Sequence, residues 1–286
     1  MGILLVKWTS TKAQTLIEAL KEGFPESSNG ARRSWLIQER VYVNSKVASH
    51  TGFRVEKGQE IFIGKKKVFI DEGIEILYED DSMVAVYKPA GILSVATDYS
   101  IEENVHSYLK RRFKKRRVFP VHRLDREASG VMIFAYTELA QQRLKKRFET
   151  HDLKRQYIAV VEGSLTPKQG TWESYLFEDE SYYVRSVSDP SIGERAITHY
   201  KVIKTTKNAC TLLVTLETGK KNQIRVHCSE AGHPILGDKK YGSSLDQPGR
   251  IGLHAFQLQI KHPKNEKLMI FEKKPPVSFT KYLPRK

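Results

Sequence analysis

Val121-His122-Arg123-Leu124-Asp125-Arg126-Glu127-Ala128-Ser129-Gly130-Val131-Met132-Ile133-Phe134-Ala135 is the most informative stretch of this 286-residue chain. It sets one aspartate between two arginines on a segment with no helical periodicity, and Ser-Gly turn chemistry then leads into an apolar strand. A carboxylate held among guanidinium groups keeps its charge at neutral pH, which suits a nucleophile or an electrostatic stabiliser better than a general acid. Taken alone, Arg-x-Asp-Arg is more often a surface ion-pair cluster. What Asp125 does therefore depends on its surroundings.

Those surroundings are basic. The chain holds 48 Lys and Arg against 33 Asp and Glu, a formal charge of +15 that points to acidic partners. Residues 110–155 hold fifteen Lys/Arg and five Asp/Glu, so ten of the fifteen net charges fall around Asp125. Lys110 to Arg117 carries seven cations in eight residues, and Arg143, Lys145, Lys146 and Arg147 recur on a helix-like stretch. Such a run alone is as often a solvated helix end as a docking surface. Directly before the Asp125 segment it reads as a phosphate-binding face, with Lys114, Lys115, Arg116 and Arg117 as candidate contacts.

Several classes are excluded. The longest apolar stretch, Val131 to Tyr136, is six residues, far short of the roughly 20 that span a bilayer, so no membrane partner is expected. Met1 to Val6 lacks a basic leader and has Val6 where a myristoylation signal needs Ser or Thr, so the location expected is cytoplasmic. Cys210 and Cys228 are too few and too far apart for a disulfide framework or a structural metal.

Outward from the central stretch, residues 1–70 read as a small module and 71–286 as a larger domain. In the first, Leu16, Ile17, Leu20 and Phe24 have helical spacing, and Gly23 and Pro25 break it. A second helix is expected from Gly30 to about Gln38, with Arg32 and Arg33 exposed, followed by short strands at 41–44 and 55–63. The boundary falls at Gly64 to Gly73, with Lys65-Lys66-Lys67 and Asp71-Glu72. Beyond it, strand-like runs at 83–87, 131–135, 157–161, 211–216 and 254–260 outnumber helical patterns at 105–113 and 138–148. This predicts an α+β fold with a mixed, mainly antiparallel sheet.

A second dense stretch is Thr218-Gly219-Lys220-Lys221-Asn222-Gln223-Ile224-Arg225-Val226-His227. Its alternation predicts a strand with Arg225 and His227 on one face, where Arg225 could clamp a carboxylate bidentately. Gly232 to Gly242 reads as a turn-rich connection.

Together these pieces resemble the RluA family of RNA pseudouridine synthases. They are Lys88-Pro89-Ala90-Gly91, His122-Arg123-Leu124-Asp125 with Ser129-Gly130, Lys154-Arg155-Gln156-Tyr157 with Val160 to Gly163, Asn222 to His227, and Gly232-His233-Pro234 with Gly237-Asp238 and Tyr241-Gly242. The resemblance covers roughly residues 75–262. Val41-Tyr42-Val43-Asn44 and the helix order of residues 13–70 resemble the alpha-L RNA-binding module, with Ser45 and Gln59 in place of its usual Gly and Asp.

The resemblance implies isomerisation of uridine within RNA, with no metal and no cofactor. Asp125 is then the catalytic aspartate, acting as nucleophile or through sugar-proton abstraction, and Arg225 its ion-pair partner. Tyr157 would stack on the uracil and could serve as base for the carbon-five proton, though a phenol near pKa 10 is a poor base unless its surroundings lower that value. Arg123 would hold the target nucleotide out of its stack, with His122, Asn222 and Gln223 also on the substrate side. His227 and His233 read as hydrogen-bonded structural groups, and Lys88 to Gly91 as a turn shaping the cleft wall. Departures from the family pattern are Ala128 for Thr, Lys220-Lys221 in the lead to Asn222, and Ile92 to Thr97 in place of the usual Val-His. The expected partner is large-subunit ribosomal RNA, with tRNA as the alternative, and the expected state a monomer. The competing readings are a non-catalytic RNA-binding or ribosome-assembly protein, and a hydrolase using Asp125, which lacks a second carboxylate or a Ser/His pair at recognisable spacing.

Overall fold

The computed structural model describes residues 7–37, 40–44, 46–48, 50–64, 68–70, 73–96, 104–245 and 250–283. The Met1 to Val6 opening, Gln38, Ser45, Thr97 and the charged residues 65–67 and 71–72 lie outside them. Two compact units divide between Val68 and Phe69, after the first residue of the strand Val68–Ile70, which is described with the second unit.

The first unit runs β1 (Lys7–Thr9), β2 (Gln14–Thr15), α1 (Leu16–Gly23), α2 (Asn29–Ile37), β3 (Val41–Val43), β4 (Lys46–Val47), β5 (Arg54–Val55) and β6 (Glu60–Ile63). Its sheet has the order β1-β6-β3-β4, and β2 pairs with β5. A capping box starts α1, the Thr15 N–H donating to the Glu18 carboxylate at 2.9 Å. Leu16, Ala19 and Leu20 bury its apolar face against Leu36, Val41, Val55 and Ile61. Arg32, expected at the surface, is only 6% exposed. Its guanidinium donates to the Phe24 carbonyl at 3.0 Å and the Asn29 side chain at 3.0 Å, satisfying a carbonyl left where α1 ends. Asn44 takes the left-handed turn at φ 45°, which asparagine tolerates better than most residues.

The second unit runs β7 (Val68–Ile70), β8 (Ile74–Glu79), β9 (Met83–Lys88), α3 (Val105–Arg112), β10 (Phe119–Pro120), β11 (Ser129–Ala135), α4 (Glu138–Glu149), β12 (Leu153–Glu162), β13 (Gln169–Glu178), β14 (Val184–Val187), β15 (Glu194–Thr205), β16 (Ala209–Leu216), α5 (Gln223–Glu230), β17 (Leu253–Lys261) and β18 (Leu268–Glu272). One twelve-stranded sheet has the order β14-β13-β15-β16-β12-β17-β11-β9-β8-β7, with β10 added to β11 and β18 to β17. Most pairings are antiparallel, and β11 joins β17 in parallel through Ser129/His254 and Gly130/Ala255. The architecture is α+β with a mixed, mainly antiparallel sheet.

That parallel join positions the Asp125 segment. Gly130 has φ 135°, and a Cβ there would overlap the Ala255 carbonyl, so only glycine lets β11 approach β17 this closely. Apolar clusters pack on both sides, one around Met132, Phe134 and Leu109, another around Ile133, Leu144 and Leu258. Residues 121–128, between β10 and β11, therefore run in irregular conformation across a rigid base.

The segment at 222–227 is not a strand but the start of α5. Residues two apart on a helix point about 200° apart, so Arg225 and His227 diverge instead of sharing a face. The alternation misleads because Gln223 to Cys228 are all buried: with every side covered, apolar residues lose the helical period.

Candidate active site

Residues 88–95 strap the Asp125 segment in place. The Lys88 ammonium, fully buried, donates to the carbonyls of Pro89 (3.0 Å), Ile92 (2.6 Å) and Arg126 (3.0 Å). The Gly91 N–H also donates to the Arg126 carbonyl at 2.8 Å. Ser94 Oγ donates to the Leu124 carbonyl (2.7 Å) and accepts from its N–H (3.0 Å). Both neighbours of Asp125 are thus fastened. Burial pulls the Lys88 pKa down to about 7 against the pull of Asp125 and Glu127.

The other side of Asp125 is α5. Asn222 Nδ2 donates to Asp125 Oδ2 at 2.8 Å, and Arg225 Nη1 approaches the same oxygen at 3.4 Å. No hydrogen bond to Oδ1 is found among the described residues. Asn222 caps α5 in the left-handed region, φ 53°, and its Oδ1 accepts from the Tyr241 hydroxyl at 3.1 Å. Arg225 is held mainly by Asp238, through Nε–Oδ2 and Nη2–Oδ1, each 2.7 Å. Burial works against this guanidinium, but Asp238, then Asp125 and Glu127, outweigh it and raise its pKa. Arg225 is therefore the partner of Asp238 first and of Asp125 second. Asp238 and Tyr241 lie in the stretch expected to be a plain connection, and they are the residues it contributes to the site.

Two cavities meet at Asp125. The larger, about 470 Å³, is lined by His122, Arg123, Arg155, Tyr157 and Asn222 among others. A smaller one of about 200 Å³ shares Arg123, Asp125, Asn222 and Arg225. Tyr157 follows a β-bulge in β12, which re-aims a side chain locally. Burial raises its pKa; Arg155 lowers it, and Asp125 adds to the rise, so at neutral pH it is a phenol and not a phenolate. Its surroundings are the opposite of those a tyrosine base needs. Arg155 is buried beside it, donating to the Glu217 carbonyl at 3.0 Å, in space that a Cβ on Gly219 would fill.

Other candidates fall into place differently. His122 lines the cleft, but its Nε2 accepts from the Ile133 N–H at 3.1 Å and its ring stacks on Phe148. Burial, aided by Arg155, depresses its pKa to about 3, so it remains neutral. Gln223 has both ends occupied: Oε1 accepts from Thr218 (2.8 Å) and the Lys220 N–H (2.9 Å), and Nε2 donates to the Ile197 carbonyl and Thr198 hydroxyl (2.9 Å each). It locks the turn before Asn222 and has no group left for substrate. His227 bonds Thr198 and Ser174, and His233 bonds the Glu162 carbonyl. Ala128 is buried beneath the segment, and Asn222 supplies the polar contact that orients Asp125.

The basic run is partly neutralised within the chain. Arg116 meets Glu79 and Asp81 at 3.5 and 3.3 Å, and Arg117 meets Glu138 at 2.8 Å, whereas Lys114 and Lys115 are exposed. None of the four lines either cavity at Asp125. The chain does contain a Ser/His pair, Ser129 Oγ and His254 Nδ1 at 2.7 Å, but both residues are fully buried, so no substrate reaches it. Among the described residues no group of three His, Cys, Asp or Glu is arranged to hold a metal, and none of their helices is long and apolar enough to cross a membrane. Cys210 and Cys228 are free and buried.

Residues 82–230 match the family described as RNA pseudouridylate synthase. The chain is 32% identical over 271 residues to a protein of Bacillus subtilis named uncharacterized RNA pseudouridine synthase YhcT, covering 91% of this chain and 89% of that one. It is 30% identical over 274 residues to ribosomal large subunit pseudouridine synthase D of Escherichia coli K12, covering 87% and 83%. The structure of human RNA pseudouridylate synthase domain containing 1 shares the fold, with TM-score 0.61 and 22% identity over 74% of this chain and 87% of that one.

Proposed function

The chain belongs to the RNA pseudouridylate synthase family, and from that premise we propose that it converts specific uridines of structured large-subunit ribosomal RNA to pseudouridine. The reaction is an isomerisation: the bond from the sugar C1′ to uracil N1 breaks, the base turns, and C1′ is rejoined to C5. The proton lost from C5 is balanced by the one gained at N1. Relatives named for the large ribosomal subunit support the ribosomal target.

The observation that carries the site assignment is the asymmetry of Asp125. Its Oδ2 is held by Asn222 and Arg225, while Oδ1 is left for chemistry at the edge of the larger cavity. A fixed carboxylate with one oxygen unbonded among the described residues serves equally for attack at C1′ or for taking a sugar proton, because either needs a charged, aimed oxygen. Tyr157 forms the wall against which the uracil stacks and meets it as a neutral phenol. Arg123, exposed at the mouth of both cavities, fills the space that the extruded nucleotide leaves in its stack. Lys114 and Lys115, and the module at residues 1–70, bind flanking RNA.

The test is to incubate the protein with large-subunit ribosomal RNA from a strain lacking it and map pseudouridine. New sites made by wild type and lost in Asp125→Ala are expected. No new site, or equal modification by the variant, would overturn the proposal, and sites in tRNA alone would move the target.

A further inference from the structure

The smaller cavity does not belong to the target uridine alone. Beyond the residues it shares with the larger one its charged lining is Arg126, Glu127, Lys221 and Lys240. Five cations line it with two carboxylates, Asp125 and Glu127, and Asp238 and Glu178 pair with Arg225 and Lys221 from outside the lining. The Lys240 ammonium is held below its usual pKa by burial and then by the charges of Arg225 and Lys221. A bound anion would relieve that repulsion.

The same two lysines carry the tip of the β13–β14 hairpin. Lys240 Nζ donates to the Tyr182 carbonyl at 2.9 Å, Lys221 Nζ lies 5.3 Å from the centre of the Tyr182 ring, and Lys221 pairs with Glu178, the last residue of β13 before the turn. Asp179 stiffens the turn, accepting from the N–H groups of Ser181 (2.9 Å) and Tyr183 (3.1 Å). Tyr182 sits at φ 61°, where bulky L residues are rare, and its side chain is largely in solvent at 53% exposure. A turn with no binding task would favour Gly or Asn here. An exposed ring beside a cationic cavity pairs a stacking surface with a phosphate site.

We propose that this cavity and hairpin tip form a subsite for the nucleotide adjacent to the target uridine, with Lys221 and Lys240 on its phosphate and Tyr182 stacked on its base. The assignment rests on the pseudouridine synthase reading of Asp125. At 200 Å³ against 470 Å³, the cavity suits a phosphodiester and not a second buried nucleoside, which is why the base is met outside, on the hairpin.

The test uses the full chain and large-subunit ribosomal RNA. Tyr182→Ala and Lys240→Ala are each expected to raise KM about tenfold, with the loss on KM and not on kcat. Tyr182→Phe keeps the wild-type KM, and Lys240→Ala lowers the salt dependence of log KM by about 0.7. KM within twofold of wild type in both alanine variants overturns the subsite. If wild type forms no pseudouridine, the parent reading fails and a turnover-independent arm decides the subsite: titration with the dinucleoside monophosphate UpU and with uridine, following the Tyr182 ring signals by NMR. Movement with UpU alone supports the subsite; no movement overturns it.

Discussion

Arg225 gives its two shortest hydrogen bonds to Asp238, 2.7 Å each, and only a 3.4 Å contact to Asp125. With Asp238 1% exposed, it is a buried pair whose second function is to aim a carboxylate. Removing one partner of such a pair leaves an uncompensated charge and costs about 3–5 kcal/mol. Asp238→Asn should therefore unfold at much lower urea concentration. Asp125→Asn, at a more exposed position, should change stability by less than about 1 kcal/mol while losing activity. Equal urea midpoints for the two variants would contradict the hierarchy.

Asn222 supplies the 2.8 Å hydrogen bond to Asp125. Because the residue sits at φ 53°, Asn222→Gly removes the amide without backbone strain. A hydrogen bond to a charged group contributes about 1.5–3 kcal/mol, so kcat should fall roughly 10–100-fold with RNA affinity retained. An unchanged kcat would mean that Asp125 is aimed without it.

Lys88 fastens the segment that bears Asp125 through three carbonyls. Lys88→Met keeps the volume and removes the donors, leaving buried acceptors unsatisfied at about 1–3 kcal/mol each. The expected variant is less stable, exposes residues 123–127 to faster amide exchange and has a lower kcat. Exchange unchanged there would refute the strap.

Two histidines, one half-buried in the cleft wall and one fully buried, make the fold acid-sensitive. The folded pKa values are depressed by burial to about 3 for His122 and about 4 for His254, against about 6.5 unfolded. The unfolded state binds protons first, so stability present above pH 6.5 is lost as pH falls toward 4. His254 donates to the Lys273 carbonyl and accepts from Ser129, both of which a glutamine can imitate. In His254→Gln, stability should fall less steeply between pH 6.5 and 4 than in wild type. A parallel decline would assign the acid transition elsewhere.

Tyr157 has its pKa raised, so kcat/KM, which reports ionisations of the free enzyme, should show no limb from this residue below pH 10. A limb between pH 7 and 9 that vanishes in Tyr157→Phe would restore the base role.

Lys114 and Lys115 are exposed, while Arg116 and Arg117 are spent on Glu79, Asp81 and Glu138. Reversing the two lysines should weaken RNA binding and reduce the salt slope by roughly 1.4–1.8, about 0.7–0.9 per phosphate contact. Arg116→Ala should change it far less. Equal effects would mean that the arginines release their carboxylates when RNA docks.

Much of the second unit was legible from local pattern. The strands at 83–88, 129–135, 153–162, 209–216 and 253–261, with the helices at 105–112 and 138–149, carry apolar runs or capped helical stripes that need no distant partner to be recognised. The strands at 169–178 and 184–187 were not, because the first has Leu176 as its only fully buried residue, with Trp172, Tyr175 and Phe177 only partly covered, and the second is only four residues long.

By itself the sequence determined that Asp125 lies in a basic region on a segment without helical periodicity, and the resemblance to a family raised the expectation that Tyr157 and Arg225 act with it. Only the tertiary structure decided the connections between them. Asn222 and Arg225 reach Asp125 from 97 and 100 residues away, and Asp238 claims Arg225 first. Burial gave α5 its helix despite a strand-like alternation, tied up Gln223 in internal hydrogen bonds, and kept Tyr157 protonated and His122 neutral. Each outcome is set by which groups share a water-poor volume. That is a property of packing between segments far apart in the chain, and local spacing does not encode it.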